Sequence, residues 1–356
     1  MARRATESVH RSTLRQGLLQ EKVGDSSKGL ARCLVCERRC VIAPGARGFC
    51  RNRVNIGGKI YVETYGLLSA LESRPIEIKP FFHYWPGSTA LTFSGWGCNF
   101  RCPWCQNFHL SWSSPRMEDS IFIEPRELVG IALKAGDEGV CASFNEPTIH
   151  LEYVVDVAFE AVRRGLYATI VTNGYMTIHA AKKLFEAGVD GYSIDIKGCR
   201  ETYRSLLSAD PEHVIRVSRF LKEMGAHVEM VFLVVPKAND EPECVEWVLG
   251  RIFDELGWDV PLHVNRYFPA NMWREPPTDV RLLEDIASKA RRMGFEYVYI
   301  GNTGDPQHEE TRCPRCGKVL VRRMWYRVMD YRITSDGKCP RCGYKIVLRG
   351  RPVLKS

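Results

Sequence analysis

Apolar and polar positions along this chain change their period from block to block. Near-continuous apolar runs fall at Ala90–Ser94, Val140–Phe144, Tyr167–Thr172, Gly191–Ile196, Val228–Val235, Leu262–Tyr267 and Tyr297–Ile300. Runs of that length, apolar on both faces, read as buried strands. Between them, apolar residues recur at helical spacing in Arg126–Ala135, Leu151–Arg164, Ile178–Ala187, Pro211–Met224, Glu241–Leu256 and Val280–Met293. Strand–helix alternation predicts an α/β fold with a parallel sheet and helical crossovers. Six or seven such units can form an open doubly wound sheet or a barrel, and the pattern alone leaves both open.

The chain before residue 89 reads differently. Lys59–Tyr65 is strand-like, and proline punctuates Lys79-Pro80 and Trp85-Pro86-Gly87. This is a lead-in expected to pack beneath the first of the apolar strands. Met1–Gln20 carries Arg3 and Arg4 but no apolar core, so a tail or short surface helix is expected rather than a secretory signal. The longest apolar run, Met230–Val235, is far short of the roughly 20 residues of a membrane span.

Composition adds little to the fold and more to the chemistry. The 356 residues, 45% hydrophobic and 26% charged, suit a soluble protein with one large core and a small accessory module. The net charge of +8 fits an anionic substrate, an acidic partner, RNA, or simply a solvated basic surface. Cysteine usage is more telling. Of 14 cysteines, all but Cys141, Cys199 and Cys244 fall into three clusters. C-x2-C elements recur in those clusters, which points to metal binding rather than disulfides. The three single cysteines are expected to be small core or surface residues.

Cys33, Cys36, Cys40 and Cys50 lie within one short segment turned by Pro44, Gly45 and Gly48. Four thiolates can close a tetrahedral site, so a metal knuckle is expected, with zinc or a second iron–sulfur cluster. A structural staple is the expected role. At the other end, Cys313-x2-Cys316 and Cys339-x2-Cys342 each read C-P-R-C-G, the pattern of a zinc ribbon. The glycines permit the tight turn of each knuckle. A rubredoxin-like iron site is the chemical alternative, because four sulfurs suit both metals.

The central stretch is Gly97-Cys98-Asn99-Phe100-Arg101-Cys102-Pro103-Trp104-Cys105-Gln106-Asn107, just past the first apolar strand. Three compact thiolates can hold three corners of a four-iron cube and leave the fourth iron open to a ligand. These residues, with an aromatic before the third cysteine and Gln106-Asn107 after it, resemble the signature of radical S-adenosylmethionine (SAM) enzymes. The resemblance is to the branch similar to pyruvate formate-lyase activating enzyme. The layout from Cys33 to the C-terminal cysteines looks like the radical SAM enzyme of the AmmeMemoRadiSam system.

That resemblance implies a partial (β/α)6 TIM-like barrel. Its domains would be a tail at 1–30, a cysteine-rich metal-binding lead-in at 31–88, the core barrel at 89–305 and a zinc-ribbon or rubredoxin-like module at 306–356. It implies a [4Fe-4S] cluster on Cys98, Cys102 and Cys105, with SAM bound at the open iron. One-electron cleavage of SAM would give a 5′-deoxyadenosyl radical that takes a hydrogen atom from a substrate. Glu146, in Phe144-Asn145-Glu146-Pro147, would accept from the SAM ammonium, although relatives carry a glycine pair before this glutamate. Lys197, in Asp195-Ile196-Lys197, would pair with the SAM carboxylate. Asn145 would adjoin the SAM site, and Asn173 and Asn239 would reach the ribose or adenine. Arg266, Tyr267 and Asn302 would face the substrate, Arg266 gripping an anionic group. His263 reads as core. Trp96, Phe100, Trp104, Phe108 and Trp112 would flank the cluster, and Tyr84, Trp85 and Trp273 would be core or lid.

In a barrel, all seven strand ends carry polar groups or cysteines, where catalytic residues belong. The expected partners are SAM, a one-electron donor such as ferredoxin or flavodoxin, and a substrate that is a protein, a peptide or a small metabolite. No membrane is expected, and a cytoplasmic location is. Two other functions compete. One is RNA modification, for which the basic pieces Arg322-Arg323 and Arg349–Lys355 are short. The other is a non-enzymatic metal-stapled scaffold.

Overall fold

The computed structural model describes residues 13–24, 28–114 and 118–354. The first twelve residues of the expected tail lie outside the described residues. The chain divides into two compact units, Met1–Ser73 with Leu91–Asp190, and Arg74–Ala90 with Gly191–Ser356.

The first unit holds three strands and three helices of the alternating pattern. They are β1 (Thr89–Ser94, from Leu91 on), β2 (Gly139–Ala142), β3 (Tyr167–Thr172), α1 (Pro125–Ala135), α2 (Leu151–Arg163) and α3 (Ile178–Glu186). β2 and β3 pair in parallel, Gly139 opposite Tyr167 and Ala142 opposite Ile170. Every residue of β2 is buried, which is why it reads as an unbroken apolar run. α1 starts on Pro125, whose fixed φ suits a first helical turn, and stops at Gly136 in the left-handed region. Thr177 caps α3 by accepting from the Ala180 N–H.

The same unit contains the chain before β1. Arg15–Gln16 pairs with Lys59–Val62, which pairs with Arg53–Ile56, all antiparallel. Gln20–Lys22, Ala31–Cys33 and Val41–Ile42 form a second small antiparallel sheet. The expectation of a tail through residue 30 is therefore corrected from Thr13 onward. The Gln20 side chain brackets Ile60, accepting from its N–H and donating to its carbonyl, which anchors a segment with few apolar residues of its own.

The second unit holds β4 (Val189–Ile196, from Gly191 on), β5 (His227–Val234), β6 (Leu262–Arg266) and β7 (Val298–Gly301). Each pairs in parallel with the next. α4 (Glu212–Glu223), α5 (Pro242–Leu256) and α6 (Val280–Met293) supply the crossovers. α6 buries Leu283, Ile286, Ala287 and Ala290, one face at helical spacing. Both units are thus α/β with parallel strands. A three-stranded antiparallel sheet follows, Thr311–Arg312, Val319–Met324 and Arg327–Tyr331. Its Leu320, Val321 and Ile333 share an apolar cluster with Phe82, Tyr297 and Tyr299. Among the described residues no helix is long and apolar enough to cross a membrane.

One expectation about the cysteines is overturned. Cys199 and Cys244 form a disulfide, because the loop after β4 and the first turn of α5 meet with their Cα atoms 5.0 Å apart. Cys141 is a buried residue of β2, as its apolar surroundings suggested.

Candidate active site

Cys98, Cys102 and Cys105 occupy the loop that leaves β1 in the first unit. Gly97 sits at φ 88°, and a Cβ there would fall 2.7 Å from the Cys50 carbonyl, so only glycine fits. The Phe100 N–H donates to the Cys98 sulfur at 3.3 Å. The Asn173 side-chain amide reaches the same sulfur at 3.8 Å and donates to Asn99 Oδ1 at 2.7 Å. Burial, and then the nearby Glu146, push the Cys98 thiol well above its ordinary pKa. A cationic metal centre would reverse that and hold the thiolate.

Glu146 caps the turn after β2 and is 2% exposed. Its Oε1 accepts from the Thr148 N–H at 3.0 Å, the Thr148 hydroxyl at 2.5 Å and the Thr172 hydroxyl at 2.7 Å. Its Oε2 accepts from the Asn173 N–H at 2.8 Å. The carboxylate therefore ties the end of β2 to the end of β3. Burial raises its pKa, and the four donors hold it back. Asn145 donates to the Gly97 carbonyl at 2.9 Å, which fixes the approach to Cys98. Phe144 lies at φ 67°, in the region glycine favours, and its carbonyl accepts from Asn107 at 2.7 Å. The chain thus takes a turn that glycine favours at a residue that is not glycine.

In the second unit, Lys197 Nζ pairs with Asp195 Oδ2 at 2.6 Å, both only partly exposed at the end of β4. Their spacing of two puts them on one face of the strand. Asn239 is a bracket. Its amide hydrogens go to the Lys197 and Leu233 carbonyls, both at 2.9 Å, and its oxygen accepts from the Val235 N–H. Both amide hydrogens are thus spent on backbone carbonyls of the chain itself. Tyr267 is corrected: it is 2% exposed, and its hydroxyl donates to the Trp273 carbonyl at 2.6 Å. Arg266 Nε donates to the Thr278 carbonyl at 2.9 Å, and its guanidinium lies over Phe268. Asn302 is exposed and donates to the Arg266 carbonyl at 3.1 Å. His263 is buried, with Nε2 2.7 Å from Glu229. Tyr84 is wholly buried and belongs to the core. Trp96, Phe100 and Trp104 are buried, while Phe108 is exposed.

The outer cysteine groups differ in their spacing. The Cys313, Cys316, Cys339 and Cys342 sulfurs all lie within 4.8 Å of one another, so these residues could hold a metal ion. Their two knuckles have the same hydrogen bonding. Gly317 donates to the Cys313 carbonyl and Gly343 to the Cys339 carbonyl, both at 2.9 Å, with φ near 70° at each glycine. Cys33, Cys36, Cys40 and Cys50 instead line a cavity together with Arg53 and Asn99.

Asn99 and His150 escaped sequence reasoning. Asn99 is wholly buried and links the cysteine loop to Asn173 and to the Tyr175 carbonyl. The His150 ring meets the amides of Asn52 at 3.1 Å and Asn145 at 3.3 Å. It also fills the space that a Cβ at Gly95 would need. Only the position of Asn99 inside the cysteine motif could have signalled it.

The family model described as the radical SAM superfamily matches residues 94–248. An uncharacterized protein of Methanocaldococcus jannaschii is 36% identical over 311 residues, spanning 87% of this chain and 92% of that protein. The pyruvate formate-lyase 1-activating enzyme of Escherichia coli is 24% identical over 177 residues, 48% of this chain and 71% of the enzyme. The structure of Streptococcus suis SuiB bound to S-adenosylmethionine superposes with a TM-score of 0.48 at 12% identity, over 64% of this chain and 53% of SuiB. The match that begins at the end of β1 takes in the three-cysteine loop and the Glu146 turn, so residues 94–248 carry a radical SAM superfamily domain, in a chain that is similar over about half its length to an activating enzyme.

Proposed function

We propose that this chain is a radical SAM enzyme that abstracts a hydrogen atom from a protein, peptide or small-metabolite substrate, akin to the radical SAM enzyme of the AmmeMemoRadiSam system. One observation carries the reading. Cys98, Cys102 and Cys105 share a loop whose first sulfur is met by Asn173, itself fixed by Glu146. The donor set fits the implied group: three thiolates, with backbone and amide N–H groups directed at sulfur. Cys98, Cys102 and Cys105 would hold the cluster. When bound, that group would supply the single electron for reductive cleavage of SAM, the chemistry that starts hydrogen abstraction from substrate.

The chain's own residues bind and orient. Glu146 and Asn145 keep the strand-end turns in place beside the cysteines, and Glu146 Oε2 retains accepting capacity for an ammonium. Lys197, steadied by Asp195, is proposed for the SAM carboxylate, and Arg266 for an anionic group of the substrate. Cys313, Cys316, Cys339 and Cys342 are proposed as a zinc site in a ribbon-like module at 306–356. A partial barrel at 89–305, ferredoxin or flavodoxin as electron donor and a cytoplasmic location complete the proposal.

The test is anaerobic. Reconstituted protein is given SAM and dithionite, and 5′-deoxyadenosine is measured beside a Cys98→Ala/Cys102→Ala/Cys105→Ala variant. Deoxyadenosine from the wild type alone is expected. Equal amounts from both proteins would overturn the reading.

A further inference from the structure

Sulfur spacing sorts the three cysteine groups into two kinds. A single tetrahedral ion with metal–sulfur bonds of about 2.3 Å sets its sulfurs about 3.8 Å apart. The C-terminal group has that geometry, with Cys313–Cys342 at 3.5 Å and Cys316–Cys339 at 3.6 Å. Among the described residues it is the one group of three or more Cys, His, Asp or Glu ligands within 4.8 Å of one another. No three sulfurs of Cys33, Cys36, Cys40 and Cys50 meet that limit, nor do those of Cys98, Cys102 and Cys105. A four-iron cube requires wide spacing, because each thiolate binds a different corner.

The N-terminal four nevertheless converge on one place. All four line one cavity, walled by Val35, Ile42 and Phe49. Gly48 leaves that space open, since a Cβ there would lie 3.2 Å from Ile42 and 3.7 Å from the Cys40 sulfur. The Phe49 N–H already donates to the Cys40 sulfur at 3.5 Å. Arg53, another wall residue, has a buried Nε with no hydrogen-bond partner, although its other nitrogens are bound to Glu152 and the Ile149 carbonyl. A buried N–H of this kind calls for an acceptor, and the sulfurs of an anionic cluster provide one.

We infer that Cys33, Cys36, Cys40 and Cys50 hold a second iron–sulfur cluster, of the four-iron type, and not a zinc ion. The two cysteine sites share a wall. Asn99, next to Cys98, lines the N-terminal cavity, and its carbonyl accepts from Arg38 Nε at 2.9 Å. The inference rests on these residues and not on the radical SAM chemistry at Cys98.

The full chain and its Cys98→Ala/Cys102→Ala/Cys105→Ala variant are reconstituted anaerobically, and iron, labile sulfide and zinc are counted with a Mössbauer spectrum of each. About eight irons in the wild type and about four in the variant are expected, with matching sulfide. About four irons in both would support the N-terminal cluster and count against the Cys98 site. About four in the wild type and none in the variant would overturn the inference and leave the Cys98 site standing. A second zinc per chain without the extra iron would also overturn it. A Cys33→Ser/Cys36→Ser variant is the reciprocal check: iron falls from about eight to about four, while the spectrum of the Cys98 site persists.

Discussion

Two buried carboxylates of the first unit do different work, and substitution separates them. Glu146 accepts four hydrogen bonds within one turn. Glu146→Gln replaces one oxygen by a donor that must face the Asn173 N–H or the Thr148 and Thr172 donors. An unsatisfied buried donor costs about 1–3 kcal/mol. Urea unfolding should show a loss of that size, and deoxyadenosine formation should fall because the Asn173 contact to Cys98 shifts. An unchanged midpoint would mean that the turn relaxes freely. Glu152 is instead half of a bidentate ion pair with Arg53, at 3.0 and 2.7 Å, with both side chains at most 5% exposed. Removing one partner strands a buried charge, at about 3–5 kcal/mol, whereas an apolar pair of similar volume can be neutral. Arg53→Met should therefore destabilise strongly, and Arg53→Met/Glu152→Leu should recover much of the loss. If the double variant is as unstable as the single one, the pair's other contacts, to Leu18 N–H and the Ile149 carbonyl, dominate.

The elements themselves were legible wherever one period ran long enough to win over local detail. Tyr167–Thr172 and Val280–Met293 keep the bounds their patterns imply, because one is buried along its length and the other on a single face. What escaped depends on partners distant in sequence. The Cys199–Cys244 disulfide spans 45 residues, and Asn239 spends its amide on carbonyls of two neighbouring strands. The strands at Arg15–Gln16 and Gln20–Lys22 are short and polar, and form only where Lys59–Val62 and Ala31–Cys33 await them. In the candidate site, the cysteine loop was readable from spacing, but the clamp made by Glu146 needed the strand ends in place. The C-terminal sheet divides along the same line between local cysteine turns and distant packing. Its knuckles rest on four sulfurs, while Leu320 and Val321 pack on Tyr297 and Tyr299. Removing the proposed zinc with a chelator should raise hydrogen exchange at least about tenfold over residues 313–318 and 338–344, since in such knuckles metal-binding energy is folding energy. Val319–Val321 should change much less. Uniform exchange across the sheet would show that its apolar cluster depends on the metal.

At the scale of the whole molecule, each unit buries a neutral histidine, and this sets its response to acid. In the second unit His83 is fully buried, with Nδ1 2.6 Å from the Val347 carbonyl and Nε2 2.5 Å from the Tyr299 hydroxyl. The carbonyl can only accept, so Nδ1 carries the proton and Nε2 accepts from Tyr299. Burial lowers the His83 pKa to about 4, and in the first unit burial with the Arg53 charge lowers His150 to about 4. Both start from an ordinary value of 6.5. The folded pKa is thus below the unfolded one, and as pH falls from 6.5 toward 4 the unfolded chain takes up protons that the folded chain refuses. Each histidine's contribution is complete above pH 6.5 and is lost through that window, by a limit of about 3 kcal/mol. In the second unit buried Glu77, its pKa raised by burial to about 7, takes up a proton in the folded chain over the same range and opposes the His83 loss. Glu229 opposes no part of this loss. Its pKa is held well below the carboxylate range, against its burial, by His227 and His263, so it stays charged throughout. Urea midpoints should accordingly drop between pH 7 and pH 4.5 for the first unit, and much less for the second, where Glu77 opposes His83. His83→Gln, which cannot titrate, should leave the Glu77 uptake unopposed and shift the slope of the second unit alone toward higher stability in acid, followed by hydrogen exchange in β5 to β7. A slope unchanged by that variant would assign the acid sensitivity elsewhere, and an effect that spread equally to β2 and β3 would mean that the two units unfold as one.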